Sequence, residues 1–278
     1  MQKRVLAIND ISCMGKCSLT VALPIISAAG HECVILPTAL LSTHTAQGFG
    51  NFVAFNMTDE MKKIANHWAD MDTRFDAIYT GYILSPDQAD CVYDIVTRFK
   101  SEETLLMVDP VLGDSGKLYR GFTEDNISAI KKLCAIADVI TPNLTEGSLL
   151  TGIKSDGIHL SKADAEKMLD GLAKICHGKI VLTGVECEEN VISTITRDCE
   201  TGATVFHNQP RIVGSLHGSG DIFTSVLTAT YLNDADFDVA VSAADGFVHR
   251  AISESKDDPD GRWYGVNFEK LLKDITER

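Results

Sequence analysis

Gly214-Ser215-Leu216-His217-Gly218-Ser219-Gly220-Asp221 leads directly into the apolar run Ile222-Phe223-Thr224-Ser225-Val226-Leu227. Two glycines one residue apart, followed by an acid and an apolar run, indicate a tight turn that opens a buried helix. The free N–H groups of such a turn and the helix dipole favour a bound anion. Since Asp221 would repel that anion, its presence points to a chemical task, such as taking a proton from an attacking hydroxyl. The alternative is a helix N-cap, a position at which aspartate is common.

The composition of the chain bounds both its architecture and its partners. Its 278 residues are 45% hydrophobic and 23% charged, which is typical of a globular protein with a substantial core. The net charge of −14 argues against binding to nucleic acid or to an anionic membrane surface. Any phosphate must therefore be neutralised locally, by backbone amides or bound cations. No repeat or linker divides the sequence, so we expect a single domain over residues 1–278.

The apolar runs and the cysteines predict a cytoplasmic protein. No uninterrupted apolar stretch reaches the roughly 18 residues that span a bilayer. The first residues lead into only a short apolar run, at 5–8, so we expect no secretory signal. The eight cysteines are scattered singly and lack the paired spacing of a zinc site, which favours reduced thiols.

Short β-rich runs alternate with helical patterns along the chain, which is typical of a mainly parallel sheet covered on both faces. Strands are predicted at 4–8, 33–36, 77–79, 104–108, 139–140 and 180–182. Helices are predicted at 19–29, from 58, from 86, and at 127–137, 162–176, from 222, 239–252 and 268–275. Two runs joined by a polar turn, 191–196 and 203–206, predict an antiparallel hairpin. The predicted fold class is therefore α/β.

Polar side chains follow nearly every predicted strand. Because ligands bind beyond the carboxyl ends of the strands in open parallel sheets, these side chains predict one site. They are Asn9, Asp10 and Ser12; Ser42, Thr43, His44 and Thr45; Gly81 and Tyr82; Asp109 and Asp114; Thr141, Asn143 and Glu146; Thr183; and the turn Gly218 to Asp221. Each has a structural alternative: Asn143 or Glu146 can cap a helix, and a histidine such as His44 more often makes a structural hydrogen bond. Their accumulation at one edge favours a binding site.

Two of these acids suit a magnesium ion. Asp109 and Glu146 offer hard oxygen ligands, and Mg²⁺ commonly binds one or two carboxylates together with substrate phosphates. With the amides of Gly218–Gly220 and the acid Asp221, they make up the parts needed to transfer a phosphoryl group from a nucleotide to a hydroxyl. The sequence has neither a Walker motif nor a protein-kinase glycine loop, since Gly15-Lys16-Cys17-Ser18 lacks the earlier glycine of the former.

An ordered set of motifs resembles the ribokinase-like kinases and, within them, the pyridoxal kinases. The turn Gly218-Ser219-Gly220-Asp221 is similar to the Gly-Thr/Ala-Gly-Asp anion hole and base of that superfamily. The motifs similar to pyridoxal kinases are Ser42-Thr43-His44-Thr45, Thr80-Gly81-Tyr82, Asp109-Pro110-Val111-Leu112-Gly113-Asp114, and Ala137-Asp138-Val139-Ile140-Thr141-Pro142-Asn143 with Glu146. They follow the order of the family over nearly the whole chain.

The resemblance implies a three-layer αβα ribokinase-like fold without a separate lid domain, usually as a homodimer. It implies ATP-dependent phosphorylation of the 5′-hydroxymethyl group of pyridoxal, pyridoxamine or pyridoxine, with Mg²⁺ and commonly K⁺. Asp221 would be the base, Asp109 and Glu146 would organise Mg²⁺, and the transferred charge would lie on the amides of Gly218, Ser219 and Gly220. Nucleotide contacts are expected from Asp114, Tyr119, Thr141, Asn143 and Thr183. Vitamin contacts are expected from Thr45 and Tyr82, with His44 behind Thr45.

Two departures from the pyridoxal kinase pattern leave the substrate open. Many members have Gln-Ser-His after the first strand, whereas this chain has Asn9-Asp10-Ile11, so Asp10 replaces a serine at the vitamin ring. A carboxylate there suits a B6 ring and equally the aminopyrimidine of the related hydroxymethylpyrimidine kinases, whose Asp-Ser-Ser-Gly-Gly-Ala-Gly start this chain lacks. His217, just before the anion hole, is a candidate for substrate contact or for a structural role. A non-catalytic sensor of a vitamin or nucleotide is the third hypothesis.

Overall fold

A nine-stranded sheet forms the centre of the structure, a computed structural model that describes residues 1–212, 217–233 and 235–276 apart from the side chain of Gln47. Two further strands, β6 and β7, form a small antiparallel ribbon. The strands are β1 (Arg4–Ser12), β2 (Glu32–Leu41), β3 (Ala54–Asn56), β4 (Ala77–Thr80), β5 (Leu105–Val108), β6 (Gly113–Asp114), β7 (Lys117–Leu118), β8 (Val139–Ile140), β9 (Lys179–Glu188), β10 (Val191–Asp198) and β11 (Thr204–Pro210).

Helices follow most of the strands along the chain. They are α1 (Leu19–Ala28), α2 (Thr58–Asp70), α3 (Pro86–Phe99), α4 (Glu124–Ile136), α5 (Leu144–Thr151), α6 (Lys162–Leu172), α7 (Ser219–Leu232), α8 (Phe237–Asp257) and α9 (Lys273–Thr276). Within the described ranges, none of these helices has the length and apolarity needed to cross a membrane.

The sheet is mainly parallel. Its strand order is β11-β10-β9-β8-β5-β4-β1-β2-β3. The six strands from β9 to β2 run parallel, whereas β10 and β11 at one edge and β3 at the other are antiparallel to their neighbours. The predicted hairpin is thus confirmed as β10 and β11. The carboxyl ends of the parallel strands share one edge of the sheet, and the polar residues predicted to form the site follow them there.

Apolar side chains alternate along the central strands and pack a helical layer on each face. In β1, Leu6 and Ile8 belong to one core while Val5 and Ala7 belong to the other, and all four are completely buried. Residues of α2 to α6 complete the first core, and residues of α1, α7 and α8 complete the second. This arrangement confirms the expected three-layer αβα fold.

Element boundaries differ from the sequence-based predictions mainly where the apolar pattern stops before the backbone pairing does. β1 continues past the apolar run 4–8 to Ser12, because its backbone goes on pairing with β2. The helix predicted at 162–176 ends at Leu172, and the helix predicted at 268–275 is a 3₁₀ turn followed by the four-residue α9. The sequence did not predict β3, β6 and β7, because they are too short to show periodicity.

The central position of β5 has a measurable consequence for stability. Leu106, in the middle of β5, is completely buried. Leu106→Ala is expected to lower the free energy of unfolding by roughly 2–5 kcal/mol, because it removes buried methyl groups and leaves a cavity. The control Val239→Ala alters a residue of α8 that is 60% exposed, and it should change that free energy by less than about 0.5 kcal/mol. Urea unfolding measures both, and equally small losses in the two variants would contradict the burial of β5.

Candidate active site

The ends of β1 and β4 meet the first turn of α7 at one residue, Asn9. Its Nδ2 donates a hydrogen bond to Oδ1 of Asp221 at 3.2 Å, and its Oδ1 accepts one from the backbone N–H of Tyr82 at 2.8 Å. Asp10, the next residue of β1, is buried close enough for its charge to act on Asp221. The structure therefore brings together the predicted base and two of the predicted vitamin-binding residues, Asp10 and Tyr82.

Asp221 is not the N-cap of its helix. Gly218 occupies that position, with a φ of 87°, and Asp221 lies in the first turn of α7. The Asp221 carboxylate contacts Asn9 on a different element. The first N–H groups of a helix have no partner within it, so those of this turn can bind an anion. Of the glycine-rich stretch that pointed to this site, residues 214–216 lie outside the described residues.

A close backbone contact holds the glycine turn in place. A Cβ on Gly218 would lie 1.8 Å from the carbonyl oxygen of Lys16, in the segment that joins β1 to α1. Glycine is therefore required at this position both by its left-handed φ and by the contact. A Cβ on Gly220 would instead meet no atom within 4 Å. The two glycines of the motif thus differ in what the fold demands of them.

Burial raises the pKa of the Asp221 carboxyl to about 6. The negative charge of Asp10 acts in the same direction, while hydrogen bonding from the backbone N–H of Ser18 and from the Asn9 amide opposes the shift. The residue keeps some accessible surface although protein surrounds its carboxyl. A carboxyl whose pKa lies near neutrality is well matched to proton transfer at physiological pH.

Asp109 and Glu146 form a second acidic pair at the same edge of the sheet. Both are buried, with 7% and 3% of their surface exposed. Burial, together with the nearby charge of Glu146, raises the pKa of Asp109 well above its usual range, and burial raises that of Glu146 to about 8. Thr224 of α7 donates to Asp109 at 3.5 Å, and its Oγ1 lies 3.1 Å from that of Thr141. Helix α7 therefore carries Asp221 itself and, through Thr224, contacts Asp109.

Glu146 is also part of a helix cap. Its Oε2 accepts from the backbone N–H of Asn143 at 2.8 Å, and Asn143 Oδ1 accepts from the Glu146 N–H at 2.9 Å, which closes a capping box at the start of α5. The other carboxylate oxygen accepts from the N–H of Leu112 at 3.2 Å. Asn143 and Glu146 therefore do cap helix α5, and the same hydrogen bonds fix the Glu146 carboxylate beside Asp109.

The charges at this edge fit a divalent cation. Four carboxylates converge there, those of Asp10, Asp109, Glu146 and Asp221. Within the described ranges, no lysine, arginine or histidine forms a salt bridge with any of them. Nor do the described residues hold a cluster of three or more side chains spaced to cage a metal. Mg²⁺ needs only one or two carboxylates when substrate phosphates and water complete its shell, so Asp109 and Glu146 would hold it.

The Asp10 carboxylate makes its hydrogen bonds to residues that follow it closely in the chain. Its two carboxylate oxygens accept from the hydroxyls of Ser12 and Ser18, and only 3% of the residue is exposed. Ser18 has a φ of 56°, which is uncommon for a residue other than glycine. Asp10 therefore ties together both ends of the segment 12–18, whose Lys16 touches the glycine turn. These contacts add a structural role to the one expected for Asp10 at the vitamin ring.

His44 makes the hydrogen bonds of a structural histidine. Its Nε2 lies 2.8 Å from the carbonyl oxygen of Tyr264, and its Nδ1 lies 3.1 Å from the backbone N of Ala46. With these partners Nε2 carries the proton, and burial lowers the pKa of the ring. The ring of His217 lies 4.9 Å from that of His44, and Thr45 is exposed beside them. The role expected for His44 behind Thr45 stays a prediction.

The residues expected along the nucleotide lie on the Asp109 side of the edge. Thr183 of β9 forms an isolated parallel bridge with Asn143, next to the buried Thr141. Asp114 is exposed on the β6–β7 ribbon, and Tyr119, which follows the ribbon, is 37% exposed. The structure thus places Asn143 and Thr183 side by side, and Thr141 against Thr224 of α7.

An aromatic ring joins the two sides of the site. Phe122 stacks on Tyr82 with ring centroids 5.8 Å apart and meets the edge of Tyr119 at 6.3 Å. No motif in the sequence marked Phe122. Phe122 therefore links Tyr82, which is expected at the vitamin, to Tyr119, which is expected at the nucleotide.

A segment near the end of the chain also contributes to the site, and local sequence patterns did not reveal it. Nζ of Lys16 donates to Oδ1 of Asn267 at 2.6 Å, and the ring of Trp263 lies 4.8 Å from that of Phe49. The backbone N–H of Val266 donates to the carbonyl of His217 at 3.2 Å. The one signal in the sequence that could have indicated this segment is the adjacent aromatic pair Trp263 and Tyr264 in an otherwise polar loop.

Comparisons with known proteins agree with the fold. A family model described as phosphomethylpyrimidine kinase matches residues 26–263. A Bacteroides thetaiotaomicron protein provisionally named phosphomethylpyrimidine kinase, solved with pyridoxal, is 32% identical with a TM-score of 0.91, over 99% of this chain and 96% of that one. Pyridoxal kinase from Lactobacillus plantarum is 30% identical with a TM-score of 0.90, over 100% and 98% of the chains.

A curated relative from Schizosaccharomyces pombe, provisionally named pyridoxal kinase, is 29% identical over 214 residues. The match covers 74% of this chain and 61% of that relative. The fold and site together define a kinase of the ribokinase-like class. The chain belongs to the phosphomethylpyrimidine kinase family and groups with its pyridoxal kinase members.

The two glycines of the anion-binding turn should respond differently to the same substitution. Gly218→Ala places a methyl group 1.8 Å from a backbone oxygen at a left-handed φ, so we expect the free energy of unfolding to fall by about 1–3 kcal/mol or more. Gly220→Ala adds a methyl group in open space within a helix, so it should cause no loss. Urea unfolding compares the two variants, and equal losses in both would contradict the described turn.

Proposed function

We propose that this protein transfers the γ-phosphoryl group of ATP to the 5′-hydroxymethyl group of a B6 vitamer. The observation that carries the proposal is the position of Asp221. Its carboxyl has a pKa near neutrality, is held by Asn9, and lies in the first turn of a helix whose free N–H groups can bind an anion. The pyridoxal kinases and the pyridoxal-bound structure among the similar proteins support B6 as the substrate class.

In this reaction the Asp221 carboxylate accepts the proton of the 5′-hydroxyl group while the oxygen of that hydroxyl attacks the γ-phosphorus. A new O–P bond forms, the bond between the γ-phosphorus and the bridging oxygen of ADP breaks, and ADP leaves with that electron pair. The N–H groups of Gly218, Ser219 and Gly220 would bind the negative charge on the transferred group. Tyr82 and Thr45 would hold the vitamin ring, with His217 beside them, and Asp114, Tyr119, Thr141, Asn143 and Thr183 would lie along the nucleotide.

Bound Mg²⁺ would neutralise the phosphates of ATP in this acidic site. Asp109 and Glu146 would hold it, directly or through water, and the contacts of Leu112 and Asn143 would keep Glu146 in place. A monovalent cation such as K⁺ is part of the proposal because the family commonly requires one.

We also propose a cytoplasmic location and a homodimeric assembly for this protein. All eight cysteines are free thiols in the structure, which supports a reducing compartment such as the cytoplasm. A homodimer is proposed from the resemblance to pyridoxal kinases alone.

Phosphorylation of hydroxymethylpyrimidine is a second candidate function, favoured by the carboxylate of Asp10. Because that carboxylate already accepts hydrogen bonds from Ser12 and Ser18, its presence does not require an aminopyrimidine. We therefore place the B6 vitamers first.

Replacing the base tests the mechanism. Asp221→Asn keeps the size of the side chain but cannot accept the proton, so kcat should fall by at least ~10²-fold while binding of ATP and pyridoxal persists. Steady-state kinetics and calorimetric titration measure the two quantities. Near-wild-type turnover would exclude Asp221 as the base. Ligand binding by the wild-type protein without any ADP formation, at saturating ATP, Mg²⁺ and K⁺, would instead support a sensor.

The identity of the substrate is tested by comparing the candidate compounds side by side. Pyridoxal, pyridoxamine, pyridoxine and hydroxymethylpyrimidine are compared by kcat/KM under identical conditions. We expect the kcat/KM of at least one B6 vitamer to exceed that of hydroxymethylpyrimidine by ~10-fold or more. A difference of one apolar or hydrogen-bonding group between two substrates commonly changes kcat/KM by at least this factor. The reverse order would assign the protein to the second candidate function.

A further inference from the structure

Asn9 lies where the pairing of β1 becomes irregular. It is completely buried and stands opposite Pro37 of β2, and the register between the two strands shifts at the next residues. Proline has no N–H to donate to the sheet, and a register shift changes the direction of the side chains around it. From this position the Asn9 side chain reaches Asp221, 212 residues further along the chain.

The orientation of the Asn9 amide is fixed by its partners. Oδ1 accepts two backbone hydrogen bonds, from the N–H of Asp10 at 2.9 Å and from that of Tyr82 at 2.8 Å. A flipped amide would set its NH₂ group against both of these donors. The NH₂ group must therefore face the other way, where Oδ1 of Asp221 lies at 3.2 Å.

The neighbouring strand leaves space for this amide. A Cβ on Gly81, directly after β4, would lie 2.2 Å from Nδ2 of Asn9. Glycine at that position is therefore required by the Asn9 side chain itself. The family resemblance gave roles to Tyr82 and Asp221 on either side but none to Asn9.

We propose that Asn9 is a positioning residue for the base, which orients the Asp221 carboxylate and couples it to the backbone of the substrate residue Tyr82. The inference rests on the proposed function of Asp221. The Asn9 NH₂ group donates to the carboxylate and so favours its ionised form, the form that accepts a proton. Because one amide binds both Asp221 and Tyr82, the base and the wall of the vitamin site keep a constant spacing.

Other ionisable groups also face the Asp221 carboxyl and contribute to its pKa. They are Asp10 of β1, Cys17 between β1 and α1, Tyr79 of β4, Asp109 after β5 and Tyr119 after β7. The negative charge of Asp10 disfavours the ionised base, whereas hydrogen bonding from the Tyr79 hydroxyl acts in the opposite direction and lowers the pKa of Asp221. The Asn9 amide therefore acts together with the Ser18 backbone N–H and the Tyr79 hydroxyl in favouring the ionised carboxylate of Asp221.

The test compares pH profiles of kcat/KM for two Asn9 variants with the wild type. Asn9→Ser removes the NH₂ group, and Asn9→Asp replaces it with an acceptor of the same shape. Loss of the donor raises the pKa of the base, so the acidic limb near pH 6 should move about one unit higher. At the pH optimum, kcat should fall by ~10-fold or more, because the Asp221 carboxylate is no longer held in the orientation that accepts the proton of the hydroxyl. If Asn9→Asp does not fold, Asn9→Ser decides the question.

Thr38→Val is the matched control. Thr38 is completely buried, and its hydroxyl donates to the carbonyl of Tyr82 at 2.8 Å without contacting Asp221. A purely structural disturbance of the Tyr82 segment should appear in this variant as well, as a change of KM, but its acidic limb should stay at the wild-type pH. An unshifted limb in folded Asn9→Ser, or the same shift in Thr38→Val, would overturn the inference. A wild type that phosphorylates no candidate substrate would instead contradict the proposed function.

Discussion

The structure depends on one electrostatic constraint, the burial of four carboxylates at one edge of the sheet without a paired basic side chain among the described residues. Burial makes each ionised carboxylate costly and raises its pKa. For Asp221 the folded pKa of about 6 exceeds the ordinary value of 3.8. Its protonated form therefore favours folding at low pH, and this contribution is lost as the pH rises through about 6. Under the proposed function, the same shift prepares Asp221 to act as a base near neutral pH.

Three parts of the chain that are distant in sequence meet to hold this arrangement. The segment 12–18 is closed by the hydrogen bonds of Asp10, and its Lys16 contacts both the glycine turn and Asn267. The residues around Trp263 cover the segment after β2, where His44 donates to the carbonyl of Tyr264. The anion-binding turn is thus held between a loop near the start of the chain and another near its end.

The sequence predicted the layers of this fold and most of the residues at its edge. Parallel strands leave long apolar runs, and polar residues after those runs must share one edge, so Asp109, Thr141 and Asp221 could be placed together. The sequence could not assign a role to Asn9, because its partners lie 73 and 212 residues away and no local pattern encodes them. The contacts of Trp263 were hidden for the same reason. Nor could the sequence show that Asp10 accepts hydrogen bonds from Ser12 and Ser18, because the presence of an aspartate does not reveal whether its carboxylate contacts substrate or protein.

The central claim is that burial tunes the Asp221 carboxyl to act as a base near neutral pH. The direct measurement is a carboxyl NMR titration of the protein labelled with ¹³C at aspartate side chains, recorded for the wild type and for Asp221→Asn. The account predicts a carboxyl that titrates near pH 6 in the wild type and is missing from the variant. A wild type without such a carboxyl, or a signal that persists unchanged in Asp221→Asn, would contradict it.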